Sequence, residues 1–100
     1  MEGLRNNKLA EDLLHLALAQ GASDMHIEPD EQGVRVRIRV DGLLQHLCVL
    51  PRAQQSTLLT QLKVWSGMDI AEKRVPQDGH FRVNSEIGYV NIRVLSLIHI

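Results

Sequence analysis

Residues 34–50, "VRVRIRVDGLLQHLCVL", decide how this chain folds. Apolar residues and arginines alternate over residues 34–40, the period-two pattern of a strand with one face on a core and the other in water. Asp41-Gly42 follows at once, and a two-residue type I′ turn favours this dipeptide because both central positions need positive φ. Residues 43–50 then read as the returning strand. With that turn, Val40 pairs with Leu43, and counting outward sets Arg39 opposite Leu44, Arg37 opposite His46 and Arg35 opposite Cys48. Val34, Val36, Ile38 and Val40 with Leu43, Leu47 and Val49 are then expected to face the core. The other face carries three guanidiniums spaced by about 7 Å, two residues of strand rise.

The flanking segments supply the other elements. Over residues 7–20, Leu9, Leu13, Leu16 and Ala17, with Leu14 and Leu18 beside them, form a broad helical stripe, and Gly21 is a stop signal. "DMHIEP" (24–29) alternates Met25 and Ile27 against His26 and Glu28 ahead of the turn-rich "DEQG", which predicts a short strand and a hairpin loop. Pro51 ends the returning strand, and "RAQQSTLLTQLKVWSG" (52–67) places Leu58, Leu59, Leu62 and Trp65 at helical spacing with Gly67 as a stop. "HFRV" and "YVNIRVL" predict a last hairpin closed within residues 84–88. The order helix, three strands, helix, two strands implies an α+β domain: a two-layer sandwich with a mixed sheet of about five strands and helices on one face. Neither an internal repeat nor a low-complexity segment interrupts it.

Composition narrows the function classes. One hundred residues suffice for a single domain with its own core, so residues 1–100 are expected to form one. Eleven Lys and Arg against twelve Asp and Glu leave a net charge of −1, so any electrostatic function has to be local. The single cysteine, Cys48, excludes an internal disulfide or a Cys-x-x-Cys site and suits a reducing compartment, pointing to the cytoplasm. No apolar run approaches a membrane span, and acidic residues interrupt "MEGLRNNKLAEDLLHL", so a signal peptide or anchor is not expected.

Several features bear on chemistry. The arginine row reads either as a solvated sheet face or as an anion-capturing one; three arginines rather than lysines favour the second mildly, because the planar fork matches phosphate and carboxylate oxygens in pairs. Arg52, just past Pro51, stands where the backbone amides of a helix start add to such attraction. His26 and Glu28 form a His-x-Glu pair on one strand face, but the Pro-Cys-x-x-Cys half of a zinc-deaminase signature is missing, so no metal site is expected. Cys48 has no evident general base. No G-x-x-x-x-G-K-[ST] loop occurs, so the chain alone is not expected to be an enzyme or to hold a cofactor. Trp65, Phe81 and Tyr89 are scattered away from the arginines, which argues against a nucleic-acid partner. "DIAEKRVPQDGHFRV" (69–83) is rich in charge yet stiff: Pro76 fixes its own φ and biases Val75 toward extended backbone before the turn Gln77-Asp78-Gly79.

Taken together, "ASDMHIEP", "VRVRIRVDG", "LKVWSGMDIAEKRVPQDGHFRV" and "NIRV" resemble the amino-terminal half of the core of the hexameric ATPases of type II secretion and type IV pilus assembly. Three long motifs in the same order carry the resemblance over about residues 22–94. It implies a PAS-like domain preceding a RecA-like motor domain that holds the Walker motifs, ATP and Mg²⁺, none of which is expected in this chain. It also implies that Arg37 and Arg52 reach the phosphates of ATP bound by the motor domain of the same or a neighbouring subunit in a homohexamer. Glu72, Lys73, Arg74 and Asp78, in the stiff loop, would then form an interface with motor domains. The parent would work in the cytoplasm, peripheral to the bacterial inner membrane, with platform proteins of the secretion or pilus system as partners. His80 departs from the usual Arg or Lys of the family, and residues 95–100, "SLIHI" with the leucine before it, stand where the family continues past R-V-S-T with a Pro and a His-Gly-Glu, and are expected to be a truncated or non-native end. A free-standing PAS-like ligand-sensing or protein-interaction module is the alternative.

Overall fold

The computed structural model describes residues 8–66 and 79–94. Helix α1 (Leu9–Ala19) leads into strands β1 (Asp24–Pro29), β2 (Gly33–Val40) and β3 (Leu43–Pro51). A 3-10 turn (Arg52–Gln54) opens helix α2 (Gln55–Ser66), and β4 (Gly79–Ser85) and β5 (Gly88–Val94) complete the sheet. The strand order is β3-β2-β1-β5-β4, with β1 parallel to β5 and every other neighbour antiparallel. This is the mixed five-stranded α+β architecture expected from the sequence.

Local chemistry explains the element ends. Gly21, at φ 76°, closes α1 with the two hydrogen bonds of a Schellman motif: its own N–H donates to Leu18 O (3.0 Å) and the Ala22 N–H to Ala17 O (3.0 Å). Asp41 and Gly42 both have positive φ, 52° and 81°, as a type I′ turn demands. In the β1–β2 loop the Asp30 carboxylate accepts from the Gln32 N–H (2.8 Å) and the Gly33 N–H (3.0 Å), an Asx arrangement that fixes the bend. The Gln55 amide donates to the carbonyls of Asp30 (2.7 Å) and Gly33 (2.9 Å), tying the start of α2 to that same loop.

The period-two alternation sends Met25 and Ile27, Val34, Val36 and Ile38, and Val90, Ile92 and Val94 to one side of the sheet, where all are buried. Both helices cover that side, α1 through Leu9, Leu13 and Ala17 and α2 through Leu58 and Leu62, and the Ala10 N–H donates to the Gln61 side chain (2.7 Å) between them. The opposite side is left without a helix among the described residues. Here the arginines stand.

The β2–β3 register departs from the expected one. It starts as counted, with Val40 opposite Leu43, Arg39 opposite Leu44 and Arg37 opposite His46, but a bulge beyond Arg37 leaves Leu47 as an extra residue. Cys48 therefore falls opposite Val36, and Arg35 faces Val49 instead of Cys48. One extra residue inverts the facing of the rest of a strand. Val49 is consequently 59 % exposed where a core position was expected, and Leu50 takes that place with 1 % exposure. Leu43, also expected inside, is 72 % exposed because it flanks the hairpin turn at the open end of the sheet. The loop residues Glu72, Lys73, Arg74 and Asp78, the Gly67 stop and residues 95–100 lie outside the described residues.

Gly33 stands where the end of β3 crosses close by: a Cβ there would run into the carbonyl oxygen of Leu50 and approach the Arg52 nitrogen. Because backbone cannot swing aside as a flexible side chain can, Gly33→Ala is expected to destabilise the chain by about 3 kcal/mol, at the upper end of overpacking costs. Urea denaturation of the variant against the parent chain measures this, with a shift of the midpoint at unchanged slope as the expected result.

Candidate functional site

The side of the sheet away from the helices is built from the alternate residues of each strand. Its firmest feature is Glu28 on β1, which pairs with Arg35 across the ladder and lies diagonally from Arg37. Arg35 Nε donates to Glu28 Oε1 at 2.7 Å and Arg37 Nη2 to Glu28 Oε2 at 2.5 Å, so one carboxylate clamps two guanidiniums. The clamp is well shielded at its centre: the Glu28 side chain is 13 % exposed and that of Arg37 32 %. Burial alone would raise the Glu28 pKa, but the hydrogen bonds from Arg37 and Arg35 and their charges outweigh it and hold the carboxyl below the ordinary value of 4.5. The Nε of Arg37 is buried without a partner among the described residues.

Next to the clamp, a row runs across the whole sheet perpendicular to the strands. His80 on β4 is opposite Arg93 on β5, Arg93 is opposite His26 on β1, His26 is opposite Arg37 on β2, and Arg37 is opposite His46 on β3. With strands about 4.8 Å apart, this alternation of histidine and arginine spans roughly 19 Å. A second row runs beside it: Arg82, Asn91, Asp24, Arg39 and Leu44. Between the two rows, on the β1, β5 and β4 side, is an open groove of about 410 Å³ lined by Asp24, His26, Arg39, His80, Arg82, Asn91 and Arg93 with the edges of Phe81 and Ile92. The Arg82 guanidinium stacks over the Tyr89 ring at 4.0 Å, and its Nε donates to Asn91 Oδ1 (3.3 Å). Arg39 Nη1 donates to the Gly42 carbonyl (3.1 Å). Burial and the charge of Arg39 lower the His26 pKa, Glu28 opposes them, and Arg37 and Arg93 add to the lowering. The groove lining carries three arginines, two histidines and one carboxylate.

The residues singled out from the sequence fall at different places. Arg37 sits near the middle of the exposed face. Arg52 lies toward the other end of β2: Pro51 pairs with Gly33, four residues along β2 from Arg37, so their backbones are separated by roughly 13 Å of strand. Arg52 is exposed and its Nη1 donates to the Glu31 carbonyl (3.4 Å). His26 and Glu28 share a face as expected. Cys48 is half-buried against the core, and burial pushes its thiol pKa up, away from nucleophilic reactivity. Sequence reasoning missed the groove. The alternation in "NIRV" puts Arg93 outward, but only the parallel pairing of β5 with β1 sets it beside His26. Among the described residues no group of three or more His, Cys, Asp or Glu is placed to hold a metal ion, and no helix is long and apolar enough to cross a membrane.

Residues 5–98 match the family model described as type II/IV secretion system protein. The chain is 44 % identical over 92 residues to a type II secretion system ATPase E of Vibrio cholerae, covering 90 % of this chain and 18 % of that protein. It is 38 % identical over 90 residues to a type IV pilus assembly ATPase of Thermus thermophilus, covering 90 % of this chain and 10 % of that one. A protein transport protein HofB homolog of Escherichia coli is 43 % identical over 84 residues, covering 84 % of this chain and 18 % of its own length. The chain thus spans between a tenth and a fifth of the length of these curated relatives.

The clamp carries a pH dependence whose sign follows from its direction. Because the folded-state pKa of Glu28 is depressed, its stabilising contribution is complete above the ordinary carboxylate value of 4.5 and is lost as pH falls below that value through the folded one. Glu28→Gln is therefore expected to cost about 1 kcal/mol near pH 7, the scale of a shielded charge-assisted hydrogen bond, and progressively less as the pH is lowered. Urea unfolding of both chains between about pH 7 and pH 3 tests this, the expected outcome being convergence of the two stabilities at the acid end.

Proposed function

Because the chain belongs to the type II/IV secretion system protein family, we propose that it is the domain of a secretion or pilus-assembly ATPase that lies against the motor domain and supplies arginines to the nucleotide held there. The observation that carries this reading is the asymmetry of the sheet: one side is sealed by α1 and α2, and the other presents ordered guanidiniums with Arg37 at its middle. An arginine clamped by Glu28 has lost rotamer freedom before any ligand arrives, so little more is lost on contact. Guanidiniums that approach a transferring phosphoryl group neutralise the charge spreading over its oxygens. Movement of this domain toward or away from the motor would then couple domain rotation to hydrolysis.

In this reading the 100 residues form one domain preceding a RecA-like motor domain that carries ATP and Mg²⁺. Arg37 contacts the phosphates from the sheet face and Arg52 from the start of α2. Glu72, Lys73, Arg74 and Asp78 meet motor domains of the same or a neighbouring subunit in a homohexamer. The whole machine works at the cytoplasmic side of the inner membrane against its platform proteins.

Two experiments on the full-length ATPase test the reading. Arg37→Ala and Arg52→Ala are each expected to lower the hydrolysis rate substantially, up to about 10³-fold if the contact is made in the transition state, while Arg35→Ala, on the far side of the clamp, leaves it nearly unchanged. Wild-type rates in both variants would defeat the proposal. Reversing charge with Lys73→Glu and Arg74→Glu together is expected to weaken hexamer assembly, measured by sedimentation, because like charges then face each other across the interface. Thermal stability of the present chain carrying the same pair is expected to stay within about 0.5 kcal/mol, as for exposed surface changes.

A further inference from the structure

We propose that the groove between β1, β5 and β4 is a binding site for a phosphate chain, formed by Arg39, Arg82 and Arg93 and separate from Arg52. Three observations converge on it. The groove is concave and about 410 Å³ in volume, which suits two or three linked phosphates. Its lining sets three guanidiniums against a single carboxylate, Asp24, whose Oδ2 accepts a hydrogen bond from the Ser23 hydroxyl at 2.6 Å. Glu28 is committed to Arg35 and Arg37 on its other side, so both of its carboxylate oxygens are engaged there and not by the arginines of the groove.

The geometry favours phosphate over other anions. Arg82 is immobilised by the Tyr89 ring and Asn91, and Arg39 by the Gly42 carbonyl, and each holds its fork in place with further N–H groups to offer. Planar forks lining one concavity match the tetrahedral oxygens of linked phosphates in pairs, whereas an acidic peptide needs a longer and flatter track. His26 adds a pH dependence. His26 is faced by Arg37 and Arg39 from β2, by Arg93 and Asn91 from β5 and by Asp24 and Glu28 along its own strand, while His80 is faced by Arg93. Burial first, and then the surrounding guanidiniums, disfavour the cationic form of His26 in the free chain. An anion in the groove reverses that balance, so binding tightens as pH falls and the His26 titration midpoint moves up when the site fills. The site needs no motor domain and stands apart from the reading of Arg37 and Arg52.

The test is an NMR titration of the 100-residue chain with inorganic tripolyphosphate, following the arginine Nε–H and histidine signals. Saturable shifts of Arg39, Arg82 and Arg93 are expected, with an upward move of the His26 midpoint. Arg93→Gln and Arg39→Gln are each expected to weaken binding about tenfold, the equivalent of one lost charge-assisted contact, and Arg35→Gln to change it less than about twofold. Comparison with ATP distinguishes the source: equal affinity identifies a free phosphate chain, tighter binding of ATP identifies a nucleotide, and both uphold the site. The proposal is overturned if no saturable shift occurs, if binding survives both Arg93→Gln and Arg39→Gln in correctly folded chains, or if a tetraglutamate peptide binds more tightly than tripolyphosphate.

Discussion

Everything in this fold hangs on the double pairing of β1, antiparallel to β2 on one side and parallel to β5 on the other. Antiparallel neighbours can be joined by a tight turn, but parallel ones require a crossover, and the crossover from the β3 edge to the far edge includes α2. The helix is thereby laid over one side of the sheet, next to α1, and the two sides acquire different chemistry. Met25 and Ile27 face the helices with no exposure at all, while His26 and Glu28, one residue away, stand on the open side. The six residues of β1 serve both the core and the candidate site.

That strict alternation also divides the open side into two electrostatic halves. Around Glu28 the charges of Arg35 and Arg37 are met by a shielded carboxylate, an arrangement that orders side chains more than it stabilises the fold, since desolvating the pair offsets much of its attraction. Across His26, Arg39, Arg82 and Arg93 line the groove together with Asp24, whose carboxylate accepts from the Ser23 hydroxyl. The single strand β1 thus separates an ordered arginine from an arginine-lined groove.

Much of this was legible in the sequence because it depends on local rules. All three hairpins, the type I′ turn and both helices follow from period two, period 3.6 and the chemistry of Asp-Gly and Gly21. The outward facing of Arg35, Arg37 and Arg39 follows from the same alternation. The bulge at Leu47 was not legible, since "LLQHLCVL" is nearly as apolar in either register and nothing local says which residue is extra. Nor was the juxtaposition of Arg93 with His26, which joins residues 67 apart through a parallel ladder that no turn announces. The Glu28 clamp lay between these cases: Glu28 and Arg35 could be placed on one face, but their pairing required the length of the β1–β2 loop to be known. Glu72, Lys73, Arg74 and Asp78, outside the described residues, remain a reading from sequence and resemblance.

The two hydrogen bonds from the Gln55 amide to the carbonyls of Asp30 and Gly33 have a mechanical consequence. They rivet the first turn of α2 to the tip of the β1–β2 hairpin, and Arg52, whose side chain reaches the Glu31 carbonyl of the same tip, sits inside the riveted corner. Torque applied to that corner cannot bend the helix away from the sheet without breaking both bonds, so it turns the sheet with it. The corner thus joins the start of α2 directly to the strand that carries Arg37 and Arg39, so that a displacement of one draws on the other.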